Sequence, residues 1–433
     1  MFKTLQNAFK IKDIRTKIFY TFLMLIVVRI GSQLPIPGVN RDYFSQWFSQ
    51  QTGDAFSFFN AVTGGSFLEM SVFALNITPY ITSSIIMQLL TIVIPKLEEM
   101  QKDGEDGRKK IASITRYVTV VLALIQSTAM AVGFGNKGLL QDFNFLNVLT
   151  VIVALTAGSA MLMWIGERIT ENGVGNGISI VLLINIVSRI PADLATLFET
   201  FVKGKALAYA ILAVLIIAAV IILTTVLTVL LQGGERKISV QYAKKMQGRK
   251  MVGGQSTHIP LKVNTAGVIP IIFASSLLQF PVVIASLLGK SGSEWVKYLS
   301  SSNWCDPKNL KYSIGLLVYI ILVVFFAYFY TSITFNPLEV ANNLKKQGGF
   351  IPGIRPGTPT SDYLTKILNN IIFIGAVGLI IVAVIPIFFN GVFNAQVTFG
   401  GTSLIIIVGV VLETMKQIES QMLVRYYKGF LND

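Results

Sequence analysis

The chain has 433 residues, 53% of them hydrophobic and only 13% charged. A soluble domain carries about 25% charged residues, so the composition excludes an ordinary water-soluble fold and points to lipid as the main solvent. The formal net charge of +14 also suits a nucleic-acid partner, but in a membrane chain it first reads as basic loops on one side. Cys305 is the single cysteine and His258 the single histidine, which removes an intrachain disulfide and any zinc cluster.

Hydrophobic windows predict ten helices of about 20 residues. Their cores lie at 18–34, 70–94, 117–135, 147–166, 177–190, 208–231, 266–288, 313–334, 369–389 and 401–418. The last two share an uncharged run from Ile367 to Leu412, broken only by a turn-like Asn390-Gly391 and Phe399-Gly400-Gly401. The fold class is therefore an all-α polytopic membrane protein. The basic start and apolar segment at the N-terminus imitate a signal peptide. Arg29, Pro35 and Pro37 argue for an uncleaved anchor instead.

Lys and Arg divide unevenly between the connections. Twenty-six fall before span one, after the even-numbered spans and in the tail; nine fall in the opposite connections, and Arg29 sits inside span one. The positive-inside rule then places both termini in the cytoplasm. Ten spans split five and five, at 1–190 and 191–433, and an odd number per half permits an inverted repeat with a path between the halves.

The apolar cores hold almost no ionisable side chain. Coupled transporters use intramembrane Asp, Glu, His or Arg as relays, so a small-solute secondary transporter is the weaker reading. No His-Glu-x-x-His, carboxylate pair or Ser near His points to an enzyme, and no Walker-type loop points to a nucleotide. His258 reads as a solvated loop residue.

Residues 56–69 are apolar but too short to cross, and Gly64-Gly65 interrupts any helix. The segment reads equally as a re-entrant piece lining a cavity or as a surface loop with an interfacial helix. In span two, Ile77, Ile81, Ser84, Gln88 and Thr91 share one helical face. Span seven repeats the pattern with Ile272, Ser275, Ser276 and Gln279. Such stripes suit a face that meets another helix and water, although ordinary interhelical bridging explains them more simply.

Two loops stand out. In 232–265, Ile238, Val240 and Tyr242 alternate with Ser239 and Gln241, which predicts a short strand. Its basic residues include Arg236, Lys237, Lys244, Lys245, Arg249 and Lys250. They would suit a nucleic acid, an acidic protein face or lipid headgroups. In 348–359, Pro and Gly predict a chain of turns that holds Arg355 at a tip. There it could pair with a carboxylate or phosphate, or simply belong to a structural turn.

At this point the residues resemble the SecY family, channel subunits of bacterial protein-conducting translocons. The matching stretches are SVFALNITPYITSSIIMQLL from Ser71, WIGERITENGVGNGISIVL from Trp164, QSTHIPLKVNTAGVIP from Gln255, NPLEVANNLKKQGGFIPGIRPG from Asn336, and FGGTS from Phe399. The resemblance implies a clamshell of two inverted five-helix halves around an hourglass pore. It implies a pore ring of Ile77, Ile81, Leu182, Ile272 and Ile406. It implies a plug at Phe58, Phe59, Asn60, Val62, Gly64, Gly65, Phe67 and Leu68. Spans two and seven become a lateral gate carrying Ser84, Gln88, Thr91, Ser275, Ser276 and Gln279. The basic loop and Arg355 become a docking site for the ribosome and a SecA-like motor ATPase. Small membrane subunits similar to SecE and SecG complete the assembly in the bacterial cytoplasmic membrane. Its traffic is a translocating polypeptide and signal sequence, with release of apolar segments into membrane lipid. No cofactor is implied. The family usually has Gly where this chain has Asn76, a residue that tolerates left-handed backbone.

Overall fold

The computed structural model describes residues 2–41, 63–135, 140, 142–242, 245–247, 250–252, 256–287, 293–300, 303–305, 307, 309–393 and 401–429. The chain is predominantly helical, and its contacts group it into two compact units.

The first unit comprises Met1–Thr196, Val283–Ser291 and Glu413–Asp433. Its helices are α1 (Phe2–Lys10), α2 (Lys12–Gly31), α3 (Thr78–Val93), α4 (Pro95–Lys102), α5 (Glu105–Phe134), α6 (Phe145–Asn172) and the greater part of α7 (Gly177–Phe201). Local chemistry sets their ends. Glu105 and Asp106 occupy the first turn of α5, where the helix dipole favours negative charge. The Asn144 side chain accepts from Phe145 N and caps α6. Pro95 starts α4 and bends it 106° from α3.

Small residues line the seam of this unit. On α5 the buried positions Thr115, Thr119, Ala123, Ser127 and Ala131 recur at every fourth residue, so neighbouring helices can approach closely. Ser83 Oγ donates to Thr115 O at 2.8 Å across α3 and α5, and Ser127 Oγ pairs with Thr156 Oγ1 at 3.0 Å across α5 and α6.

The second unit comprises Leu197–Val282 and Gly292–Leu412. It holds α8 (Leu207–Gly233), β1 (Glu235–Tyr242), β2 (Lys245–Gln247), β3 (Lys250–Val252), β4 (Ser256–Lys262) and most of α9 (Ile269–Leu287). It continues through α10 (Glu294–Leu299), α11 (Ile314–Thr334), α12 (Pro337–Lys346), β5 (Gly349–Phe350), α13 (Thr358–Phe393) and the first part of α14 (Gly401–Gly429). One core gathers Leu231, Ile271, Leu278, Tyr319, Val323 and Leu379. A second, under the sheet, gathers Ile238, Val240, Leu261, Leu344, Leu364 and Ile367. Large apolar side chains remain exposed along α8, among them Ile211, Leu215, Ile222 and Leu230. A helix apolar on that many sides belongs in lipid.

Each of the ten predicted apolar segments falls on a helix. Among the described residues, six helices are long and apolar enough to cross a bilayer, and the bent α3–α4 pair makes a seventh. Two expectations need correcting. Span two does not start at Met70, because residues 63–77 form turns and the helix opens at Thr78 with Pro79 in its first turn. Asn390-Gly391 is not a turn, since α13 continues through it to Phe393. Asn and Gly weaken a helix without ending it when its apolar faces are packed.

Candidate functional site

The turns of residues 63–77 are the most unusual backbone in the first unit. Thr63, Ser66, Phe67, Met70, Ser71, Phe73, Leu75, Asn76 and Ile77 are buried. Backbone away from helix and sheet must still satisfy its polar groups. Here Ser71 N donates to Ser66 O, Val72 N to Leu34 O and Ile36 N to Met70 O, so the segment is tied to the chain just after α2. Positive φ values at Gly64 (+66°), Gly65 (+88°), Met70 (+44°) and Asn76 (+52°) turn the chain. A β-carbon on Gly31 would strike the Phe73 ring, and one on Gly158 would strike Val72 O. Glycines of α2 and α6 thus let the two helices close over the turns.

Asn76 is the hinge between these turns and α3. Its Oδ1 accepts from Asn185 Nδ2 of α7 at 3.1 Å, and its carbonyl accepts from Ser159 Oγ of α6 at 3.1 Å. The same stretch of α7 backs the glycine pair. A β-carbon on Gly64 would lie 2.8 Å from Asn185 O, and one on Gly65 would lie 3.4 Å from Arg189 Nη1. Asn185 and Arg189, one helical turn apart, therefore face Gly64 and Gly65, and Asn185 also holds Asn76. Sequence reasoning missed Asn185, Arg189 and Ser159. The available signals were a polar amide, Asn185, and a lone charge, Arg189, inside the otherwise apolar window 177–190.

Of the plug residues, Phe58, Phe59, Asn60 and Val62 lie outside the described residues. Gly64 and Phe67 are buried, and Gly65 and Leu68 half-buried. Among the ring residues of the first unit, Ile77 is fully buried, Leu182 on α7 is buried and Ile81 on α3 is half-buried. Ile77 is the N-cap of α3 rather than a residue on its face, so the predicted five-residue helical stripe loses its first member. In the second unit, Ile406 on α14 is buried and Ile272 on α9 half-buried.

The gate stripe differs along its length. Ser84 is half-buried and Gln88 exposed, whereas Thr91 is buried and its Oγ1 donates to Gln88 O at 2.7 Å. The buried edge of α3 is Pro79, Ser83, Met87 and Thr91, so Thr91 turns toward the helix seam. Ser275 Oγ donates to Ile271 O within α9. Hydroxyls back-bonded in this way have used their donor. Ser276 and Gln279 lie on α9, and their side chains are outside the described set.

The two loops of the second unit come together. The predicted strand forms as β1, with Ile238 and Val240 buried beneath it. It pairs antiparallel with β4 on one edge and with β5 on the other, through Gln241↔Phe350 and Tyr242↔Gly349. Arg236 and Lys237 are exposed on β1. Lys245 and Lys250 lie on the β2–β3 hairpin, while Lys244 and Arg249 are outside the described residues. His258 stands exposed on β4 rather than in a loop. Arg355 is exposed, and Thr360 Oγ1 donates to its carbonyl at 2.8 Å. Left-handed turns at Gly353 and Gly357 bracket it. Among the described residues no cluster of His, Cys, Asp or Glu could hold a metal.

Apolar helices around buried turns in the first unit, and apolar helices with a small basic sheet in the second, define a polytopic membrane protein with the fold of protein-conducting channels. A solved structure described as a protein conducting channel aligns with TM-score 0.64 at 18% identity, covering 94% of this chain and 93% of its own. A structure addressing the SecY plug domain aligns at 0.62 and 19%, covering 94% and 92%. The channel of a canine ribosome–channel complex aligns at 0.60 and 18%, covering 94% and 93%. The family model SecY matches residues 71–415. Curated protein translocase SecY subunits of Halalkalibacterium halodurans and Bacillus subtilis are 47% and 44% identical, each covering 100% of both chains. The chain belongs to the SecY family of protein translocase channel subunits.

Proposed function

We propose that this chain passes unfolded secretory polypeptides across the bacterial cytoplasmic membrane and releases apolar segments sideways into lipid. The observation that carries the reading is the buried turn segment 63–77, which turns at Asn76, ends on Ile77 and leads into the helix that carries Ile81. Irregular backbone at membrane depth is tolerated where protein or a water-filled path surrounds it.

In this reading the halves 1–190 and 191–433 form the two sides of the path, and both termini are cytoplasmic. Ile77, Ile81, Leu182, Ile272 and Ile406 form an aliphatic waist. A narrow apolar constriction dewets and blocks ions, and it offers no fixed hydrogen-bond pattern to select one passing sequence. The segment about Phe58–Leu68 seals the waist at rest. The lateral gate carries Ser84, Gln88 and Thr91 on one helix and Ser275, Ser276 and Gln279 on the other, with Thr91 turned into the seam of its own unit. Gln88 is the exposed amide of the stripe, which makes it the preferred latch. Interhelical hydrogen bonds in membranes average about 0.6 kcal/mol, so such a latch opens at little cost when a signal sequence intercalates.

Energy comes from outside the chain. The β1–β4–β5 sheet, the β2–β3 hairpin and Arg355 receive a SecA-like motor ATPase or the ribosome, and SecE-like and SecG-like subunits brace the membrane helices. The test is reconstitution with these companions into vesicles. The reading expects protection of an exported precursor inside them. Vesicles that exclude the precursor yet accumulate a small solute against its gradient would return the transporter reading.

A further inference from the structure

The geometry points to a binding site for one phospholipid on α2, with its phosphodiester on Arg29 and Gln33 and an acyl chain along Phe22, Ile26 and Ile30. A groove of about 540 Å³ lies between α2 and Ile184 of α7, lined by those residues with Leu25 and Leu34. Phe22, Ile26 and Ile30 are exposed at every fourth position of α2 and make one apolar strip, and Leu34, just past the helix end at Gly31, is exposed beyond them.

Arg29 is the charged exception in this groove. Its Nη1 is buried and has no hydrogen-bond partner among the described residues. A guanidinium cannot shed its proton, and although Arg29 as a whole is half-buried, an enclosed donor left unpaired is costly. The groove therefore calls for an anionic group on an apolar body. Depth identifies it. Arg29 lies 17 residues beyond Lys12, about 25 Å along the helix, close to the ~30 Å hydrocarbon thickness. A guanidinium at that level reaches the phosphate plane by extending along the apolar stem. Gln33, exposed one turn further on, supplies a neutral donor to the same oxygens. A partner helix would instead have to bury a carboxylate among aliphatic side chains, at a desolvation cost that a phosphate already at the interface avoids.

The test is native mass spectrometry of the full chain with its membrane companions in detergent, titrated with phosphatidylglycerol or with diacylglycerol bearing the same chains. One phosphatidylglycerol should be retained, and diacylglycerol should not. R29Q should weaken retention by about tenfold, in line with a charge-assisted hydrogen bond, and R29K should lose less. Ile30→Trp, which fills the groove while keeping the cation, should also displace the lipid. A photo-crosslinker at Ile26 should capture phospholipid in native membranes. Equal retention by wild type, R29Q and Ile30→Trp overturns the site. Capture of polypeptide alone from Ile26 overturns it in favour of a partner helix.

Discussion

Asn185 Nδ2 donates to Asn76 Oδ1 at 3.1 Å, and both residues are buried, at 2% and 1% exposure. The bond joins the left-handed residue that opens α3 to the helix that backs Gly64-Gly65. It couples the start of one aliphatic strip to the segment proposed to seal it.

That coupling is measurable as non-additivity. Asn185→Ala removes the Asn185 Nδ2–Asn76 Oδ1 bond from one side, and Asn76→Gly keeps the left-handed backbone but removes it from the other. Each should cost about 1 kcal/mol, the net worth of a buried hydrogen bond. The double variant should cost less than the sum, read by thermal unfolding of the purified complex. Asn76→Ala should be worse than Asn76→Gly, because φ is +52° there and a β-carbon adds about 1–2 kcal/mol of strain. Strict additivity would remove the coupling.

Gly64→Ala should disturb the seal more than Gly65→Ala. The first β-carbon meets rigid backbone at Asn185 O, 2.8 Å away, while the second meets the end of a movable arginine at 3.4 Å. Single-channel recordings of the resting complex should show more frequent openings for Gly64→Ala. Silent recordings would place the glycine pair outside the sealing element.

Replacing Ile81 and Ile272 together with Ser should raise resting ion leak by at least about tenfold, because hydroxyls let water bridge an apolar constriction. The same change at Ile211 and Leu215, exposed on α8, should leave conductance at the wild-type level. Equal leak from both pairs would dismiss the ring.

Arg355→Glu should abolish motor-driven export while the chain still inserts and binds its membrane companions. Thr360→Val, which removes the hydroxyl holding the Arg355 carbonyl at 2.8 Å, should give an intermediate defect. Normal ATPase stimulation in both would release Arg355 from a docking role.

Cysteines at Ser84 and Ser276 should crosslink in the resting state and lose that crosslink when a signal sequence occupies the complex. The background needs Cys305 replaced by Asn or Gly, since its φ is +61°. In the unsubstituted chain, burial pushes the Cys305 thiol pKa up, which slows its labelling at neutral pH. A crosslink unchanged by signal sequence would argue for fixed helix packing.

The membrane class and the helix positions were legible because a bilayer demands long apolar windows. The strand at Ile238–Tyr242 was legible from its alternation, and the turns around Arg355 from Pro and Gly. What the sequence hid was non-local. Nothing local to Asn76 announces that its partner lies 109 residues away, or that Gly349 adds a strand beside Tyr242. The start of α3 was misplaced because residues 70–77 are as apolar as a helix core. Left-handed Met70 and Asn76 break the run through backbone geometry, which hydropathy does not report. The burial of Thr91 on the edge shared with Pro79, Ser83 and Met87 was not legible, because a wheel assigns a face and not the neighbour it meets.

The most direct measurement is site-specific photo-crosslinking to a precursor arrested midway through the membrane. Probes at Ile81, Leu182, Ile272 and Ile406 should each capture the precursor, and a probe at Leu215, exposed on α8, should not. Capture at Leu215 with none at the four aliphatic positions would contradict a path through the waist.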